Sequence, residues 1–193
     1  LTALQGLVEA EEFTAGDRAS LKVPVADLLA LPEGPRDRQV IFGDRLCVID
    51  RTGSDAFVQA DKDGYCGWVA TAALGPDRAA THWVAAPATH VYDEPDIKSP
   101  DRMWLTLGAS LSVTGTTGRF GVLAGGGFVP LVHLRAVDDR PDDPASVAES
   151  LTGTPYLWGG NSRAGIDCSG LVQAALLACG VPCPGDSDLQ ETL

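Results

Sequence analysis

Gly165 to Gly180 reads GIDCSGLVQAALLACG, and this stretch decides what the C-terminal part of the chain must be. Leu171, Val172, Ala175, Leu176 and Cys179 follow Cys168 at i+3, i+4, i+7, i+8 and i+11. That is one apolar face of a 3.6-residue period. Asp167 stands at the N-cap position, Gly180 suits the C′ position, and Pro182 stops any continuation. The pattern predicts a helix with Cys168 in its first turn, where unpaired N–H groups and the helix dipole favour a thiolate. A nucleophile and a small buried thiol are both compatible with that position.

The chain has 193 residues, 45% of them hydrophobic and 21% charged, enough for one large or several small domains. Its apolar runs are far short of a transmembrane span and no signal peptide is visible, so no membrane partner is expected. The net charge is −12, with half of the excess falling after Pro141. Such a balance argues against nucleic acid and anionic wall polymers, which need Lys/Arg clusters. It suits a substrate carrying a free amine, and it serves solubility equally well. Five cysteines, an odd number without framework spacing, imply reduced thiols, a cytoplasmic setting and no disulfide scaffold. Cys179 and Cys183 lack flanking ligands, so no metal or other cofactor is expected. Cys47 and Cys66 lie in strand-like runs and read as core residues.

Upstream, the chain reads as short strands with turn signals, and it repeats. GWVATAAL (Gly67 to Leu74) matches GFVPLVHL (Gly127 to Leu134), a shift of 60. VPVADLLALPE (from Val23) matches APATHVYDEPD (from Ala86) at both prolines, a shift of 63. GDRLCVIDRTG (from Gly43) matches GASLSVTGTTG (from Gly108), a shift of 65. Three matches in one order indicate duplication of a small β module. Residues 1–78 then hold an N-terminal segment and the first module, 80–138 the second, 139–146 an acidic linker, and 147–193 the part that carries the cysteine.

After the linker, TPYLWGGNSRAGIDCSG brings Tyr156, Trp158, Asp167, Cys168 and Ser169 together. A thiol attacking an amide needs a lowered pKa, a base, and donors for the oxyanion. The helix start supplies the first; the Cys168 N–H and the Tyr156 hydroxyl are candidates for the third. Each residue also has a plainer reading: core aromatics for Tyr156 and Trp158, a helix cap for Asp167 and Ser187, a turn acid for Asp44.

The segment TPYLWGGNSRAGIDCSGLVQ followed by CPGDSDLQ resembles the opening half of the NlpC-type cysteine peptidases, which are papain-like. The duplicated modules resemble bacterial SH3-like domains, a combination found in the subgroup that cuts γ-D-glutamyl–diamino acid bonds. The resemblance implies a mixed β and α+β fold, with two SH3-like barrels and the first half of a papain-like α+β domain. It implies Cys168 as nucleophile and Tyr156 as the hydroxyl near the oxyanion. Asp167 would receive the ammonium of a free N-terminal L-alanine, and Trp158 would form a pocket wall. Ser169 and Ser187 would donate to the D-glutamate α-carboxylate. In the first module, Asp44 and Tyr65 would close over the same amine. The implied partner is a peptidoglycan-derived peptide, met in wall recycling by a monomeric enzyme.

A cysteine peptidase needs a base, and His82, His90 and His133 all precede the linker, where they read as ordinary β-module histidines. In the resembled family the catalytic histidine lies beyond the cysteine helix, on strands that also cover its apolar face. The chain is therefore expected to be an incomplete catalytic domain that lacks its base and is inactive as it stands. The alternatives are a non-catalytic wall-peptide binding module and another papain-like activity such as acyl transfer.

Overall fold

The structure is a computed structural model describing residues 1–9 and 11–192. Its fold is mixed β and α+β, and the duplication is carried through element by element. The first module contains β1 (Asp17–Leu21), β2 (Val25–Leu29), β3 (Arg36–Ile41), β4 (Arg45–Thr52), β5 (Asp55–Ala60), β6 (Cys66–Ala70) and β7 (Leu74–Pro76). The second contains β8 (His82–Val84), β9 (Ala88–Tyr92), β10 (Asp101–Thr106), β11 (Ser110–Leu111), β12 (Val113–Thr117), β13 (Phe120–Leu123), β14 (Phe128–Pro130) and β15 (Leu134–Ala136). A 3-10 turn precedes the last strand of each module, at Thr71–Ala73 and Leu131–His133.

Strand order in the first module is β3-β2-β6-β5-β4-β1-β7. The second follows the same order, with the counterpart of β4 broken into β11 and β12, so one sheet becomes two. Even the irregularity is copied: the ladder slips between Val48 and Asp50, and again between Val113 and Gly115, 65 residues on. Residues from distant strands of the first sheet, Leu28 and Val40 with Ala19, Leu21 and Val58, meet in one core, so the sheet curls on itself. Alternation places the inward side chains: along β5, Ala56, Val58 and Ala60 are buried and their neighbours are not. The same alternation turns Gly67 and Val69 inward and leaves Cys66 exposed, so Cys66 is not the core residue its strand context suggested. Cys47 is buried.

The two modules are joined directly. Phe42, the first residue of the first module's β3–β4 turn, packs against the core of the second, and Ser110 N donates to Phe42 O at 3.0 Å. The acidic 139–146 segment is also not a free linker. Helix α1 (Pro144–Ser150) starts inside it, with the Asp143 side chain accepting from Ala145 N. Just before, Trp83 donates its indole N–H to Asp139 O, and the Arg140 guanidinium lies 4.8 Å from the same ring.

The remaining elements are a two-stranded hairpin, β16 (Asn161–Ser162) and β17 (Gly165–Ile166), then α2 (Cys168–Ala178) and the short α3 (Ser187–Gln190). The apolar side of α2 finds a partner within this chain: Leu171, Ala174 and Ala178 pack with Leu151 and Ile166 against Trp83 and Leu107 of the second module. Alanines allow that close approach, and the contact face is rotated from the one the spacing marked, leaving Val172 exposed. Among the described residues no helix is long and apolar enough to cross a membrane.

Candidate active site

Cys168 is the first residue of α2 and its side chain is exposed. Asp167 occupies the N-cap with extended backbone, and its buried carboxylate gathers three donors. Gly170 N reaches Oδ1 at 2.7 Å, Ser169 Oγ reaches Oδ1 at 3.2 Å, and Gly159 N reaches Oδ2 at 2.8 Å. Asp167 therefore ties the helix start to the Trp158-Gly159-Gly160 loop, which fixes where the thiol points. Gly170 and Gly159 are among the positions here that tolerate nothing larger than glycine. A Cβ on Gly170 would lie 2.5 Å from Gly160 O, and one on Gly159 (φ +66°) would lie 2.5 Å from Asp37 O. The Cys168 and Ser169 N–H groups, first in the helix, have no intrahelical acceptor and are available to an anion. Tyr156, paired with Ile166 through a β-bridge, and Trp158 are both two-thirds exposed on this side of the loop.

The first module supplies the floor of the site. Arg38 on β3 is only 2% exposed, and it reaches across to α2. Its Nη1 donates to Ser169 Oγ at 3.2 Å and its Nη2 to Gln173 Oε1 at 3.4 Å, while its Nε has no partner. Gln173 is fully buried and also donates to Asp63 Oδ2 (2.8 Å) and Cys183 O (3.0 Å). The 184–186 segment closes over Arg38: a Cβ on Gly185 would be 2.6 Å from Nε. Arg36 adds a bond to Trp158 O at 2.8 Å. The buried Arg38 thus sits among Asp37, Asp63, Asp167 and Asp186.

Tyr65 belongs to this corner. The Arg38 guanidinium lies 5.9 Å from its ring. Its hydroxyl pKa is pushed up first by burial, then by the charges of Asp186 and Asp37. The Asp186 carboxyl is also pushed up, chiefly by burial; Arg38 opposes the shift and Asp188, Asp63 and Asp37 add to it. Of the residues singled out from the sequence, Cys168, Asp167, Ser169, Tyr156, Trp158 and Tyr65 thus come together around the start of α2. Ser169 is not a free donor: its buried hydroxyl is engaged by Asp167 and Arg38. Ser187 opens α3 and is exposed, and it caps nothing by its side chain.

Asp44 is elsewhere. Its carboxylate accepts from Ile41 N at 3.0 Å and from Lys62 Nζ at 2.7 Å, in a tight turn where Gly43 has φ +81°. It lines a cavity of about 210 Å³ with Ala174, Leu177 and Ala178, against the C-terminal half of α2 rather than the end that bears Cys168. A short acid in this turn folds back on its own N–H and is neutralised by Lys62, so it does not face an amine at Cys168. The acids that do approach, Asp37, Asp63 and Asp186, were missed. Their only sequence signal was proximity to residues already chosen: Asp186 precedes Ser187, and Asp63 lies two residues before Tyr65.

All three histidines lie on the second module, with His82 and His133 bonded to Thr81 and Thr89 and the His90 ring 6.1 Å from that of Tyr92. The expectation that none of them serves Cys168 agrees with these placements. Among the described residues no group of three or more His, Cys, Asp or Glu is placed to hold a metal ion.

Comparison with known proteins matches residues 28–74 to the bacterial dipeptidyl-peptidase Sh3 domain and residues 153–193 to the NlpC/P60 family. The chain is 30% identical to the dipeptidyl-peptidase 6 of Lysinibacillus sphaericus over 53% of its own length and 44% of that protein. It is 26% identical to the gamma-D-glutamyl-L-lysine dipeptidyl-peptidase of Bacillus subtilis (strain 168), over 77% of this chain and 55% of that one. The chain thus spans about half the length of the curated relatives it matches. Among solved structures, an NlpC/P60 family protein from Bacillus cereus ATCC 10987 superposes with a TM-score of 0.79 at 19% identity, covering 92% of this chain and 77% of that one. An NlpC/P60 endopeptidase from Photobacterium damselae subsp. piscicida gives 0.64 at 16% identity, over 90% and 45%. These matches bear out the resemblance read from the cysteine segment and the duplicated modules.

Proposed function

We propose that this chain, which joins a dipeptidyl-peptidase SH3 domain to an NlpC/P60 segment, belongs to a cysteine peptidase acting on cell-wall peptides. Cys168 is its nucleophile. The observation that carries the reading is the exposed thiol at the first position of α2, held by a buried N-cap carboxylate and beside two unbonded N–H groups. Attack by the Cys168 thiolate on an amide carbonyl forms a C–S bond, and the Cys168 and Ser169 N–H groups receive the oxyanion. Collapse breaks the C–N bond and expels the amine, which takes up a proton from solvent; water then hydrolyses the thioester, releasing the acid and restoring the Cys168 thiolate. Tyr156, bridged to Ile166 two residues before Cys168, would add its hydroxyl to the oxyanion.

The bond we assign is γ-D-glutamyl–diamino acid in a peptide with a free N-terminal L-alanine, as in recycling. Only one residue then precedes the glutamate, so its ammonium must lie near Cys168. The surplus of carboxylates over cations at this corner favours that charge, and a sugar on the nitrogen would both remove the charge and meet the first module. Five free cysteines support a reducing compartment as the setting.

The test uses the complete protein with L-Ala-γ-D-Glu-diaminopimelate and its N-acetylated form. Only the free peptide should be cut, and Cys168→Ala should abolish cutting. Iodoacetamide should label Cys168 first, because desolvation raises the pKa of the Cys179 and Cys183 thiols and also of Cys66, although the Cys66 residue as a whole is exposed. Equal cutting of both peptides would refute the amine requirement. Binding without cleavage would favour a non-catalytic wall-peptide receptor.

A further inference from the structure

A cavity of about 320 Å³ lies away from Cys168, in the seam between the two β modules. That falls at the small end of ligand-sized sites, roughly 300–1,000 Å³. Leu21, Phe42, Val91, Met103, Leu111 and Leu123 form its apolar walls. Gly43, Gly75, Gly125 and Gly126 also line it, and Gly43 lets the two modules touch, since a Cβ there would lie 2.0 Å from Ser110 O. Water inside such walls has few hydrogen-bonding partners, so an apolar guest is favoured over solvent.

The charged groups lining this cavity have one sign. Lys22 and Arg78 line it, and no Asp or Glu does, although the chain holds 26 acids against 14 bases. Among the described residues neither cation has a carboxylate partner. The neighbouring acids are committed elsewhere, Asp77 to Arg45 at 2.6 Å and Asp44 to Lys62. Gly75 lets the Lys22 stem lie flat, since a Cβ there would be 3.1 Å from Lys22 Cβ and 3.4 Å from Cδ. Ser110 and Ser112 add hydroxyls to the lining.

We propose that this seam binds a small amphipathic carboxylate, its apolar body between the modules and its head group on Lys22 and Arg78. No residue lining the seam belongs to the Cys168 site, so this is a second site and does not depend on the peptidase reading. A guest here touches both modules at once and locks their relative placement, which in turn sets how Arg38 and Trp83 meet α2.

Titration calorimetry on the complete protein, with sodium octanoate, 1-octanol and octylammonium as probes, tests the proposal. Octanoate should bind saturably, and roughly tenfold or more tightly than either of the others, the effect of one charge-assisted hydrogen bond. Lys22→Ala with Arg78→Ala, both exposed side chains, should remove that preference and leave octanol binding and Cys168 alkylation unchanged. Ser112→Phe should fill the seam and abolish binding of all three; Ala124→Leu serves the same end if melting curves show that Ser112→Phe is unfolded. Absence of saturable octanoate binding, equal binding of octylammonium, or octanoate binding untouched by the charge-removing pair would each overturn the proposal.

Discussion

Replacing Arg38 by methionine keeps an unbranched stem and removes the buried cation that lies among the carboxylates beneath α2. Two charge-assisted bonds are lost, to Ser169 Oγ at 3.2 Å and Gln173 Oε1 at 3.4 Å. Such bonds are worth about 1.5–3 kcal/mol each at good geometry, and these two are long. Neither acceptor is orphaned: Ser169 keeps Asp167, and Gln173 Oε1 keeps Asn161 Nδ2 at 3.3 Å. Removing Arg38 also removes a buried charge and an Nε that has no partner, both of which cost the folded state. Against this, Asp186, Asp63 and Asp37 lose the cation that moderates their repulsion. The net expectation is a loss of about 1–3 kcal/mol, or roughly 3–10 °C in Tm for a chain of this size. Calorimetric melting of the complete protein at neutral pH measures it, with Arg38→Lys beside it. Lysine keeps the charge but cannot fork to two acceptors, so its Tm should fall between those of the methionine variant and the parent. An unchanged or raised Tm for Arg38→Met would refute the reasoning, because the buried cation would then be dispensable to the joint between β3 and α2.

Asp186→Asn should stabilise the fold at neutral pH. Burial raises the Asp186 pKa in the folded state, so the protonated form is favoured there, and stability is lost as pH rises through the carboxylate range. The Tm advantage of the asparagine variant should therefore be present at pH 7 and vanish as pH falls below that range; a gap independent of pH would refute the assignment. Gly159→Ala puts a Cβ 2.5 Å from Asp37 O on a backbone with φ +66°, and should cost roughly 2–4 kcal/mol in denaturant unfolding. A neutral result would mean that the Trp158-Gly159 loop does not rest on β3.

The local elements were legible because their causes are local. Asp167, Gly180 and Pro182 punctuate α2 by capping chemistry that needs no distant partner, and the structure places the helix at Cys168–Ala178. The duplication was visible for the same reason: turn glycines, prolines and alternating strands repeat with the fold they encode, down to the slipped ladder at Val48 and Val113. What the chain could not show by itself is which side chains converge from far apart. Asp44 and Asp37 are both acids near β3, but strand direction sends Asp37 toward Gly159 and the Cys168 loop. Asp44 instead turns into its own hairpin and meets Lys62. Nothing in the sequence singles out Arg38; the packing of β3 on α2 buries it against Ser169, 131 positions away. Periodicity marks which face of an element is apolar. Which neighbour covers that face, and which charge is left without water, depends on the docking of whole modules, and for this chain only the tertiary structure decided it.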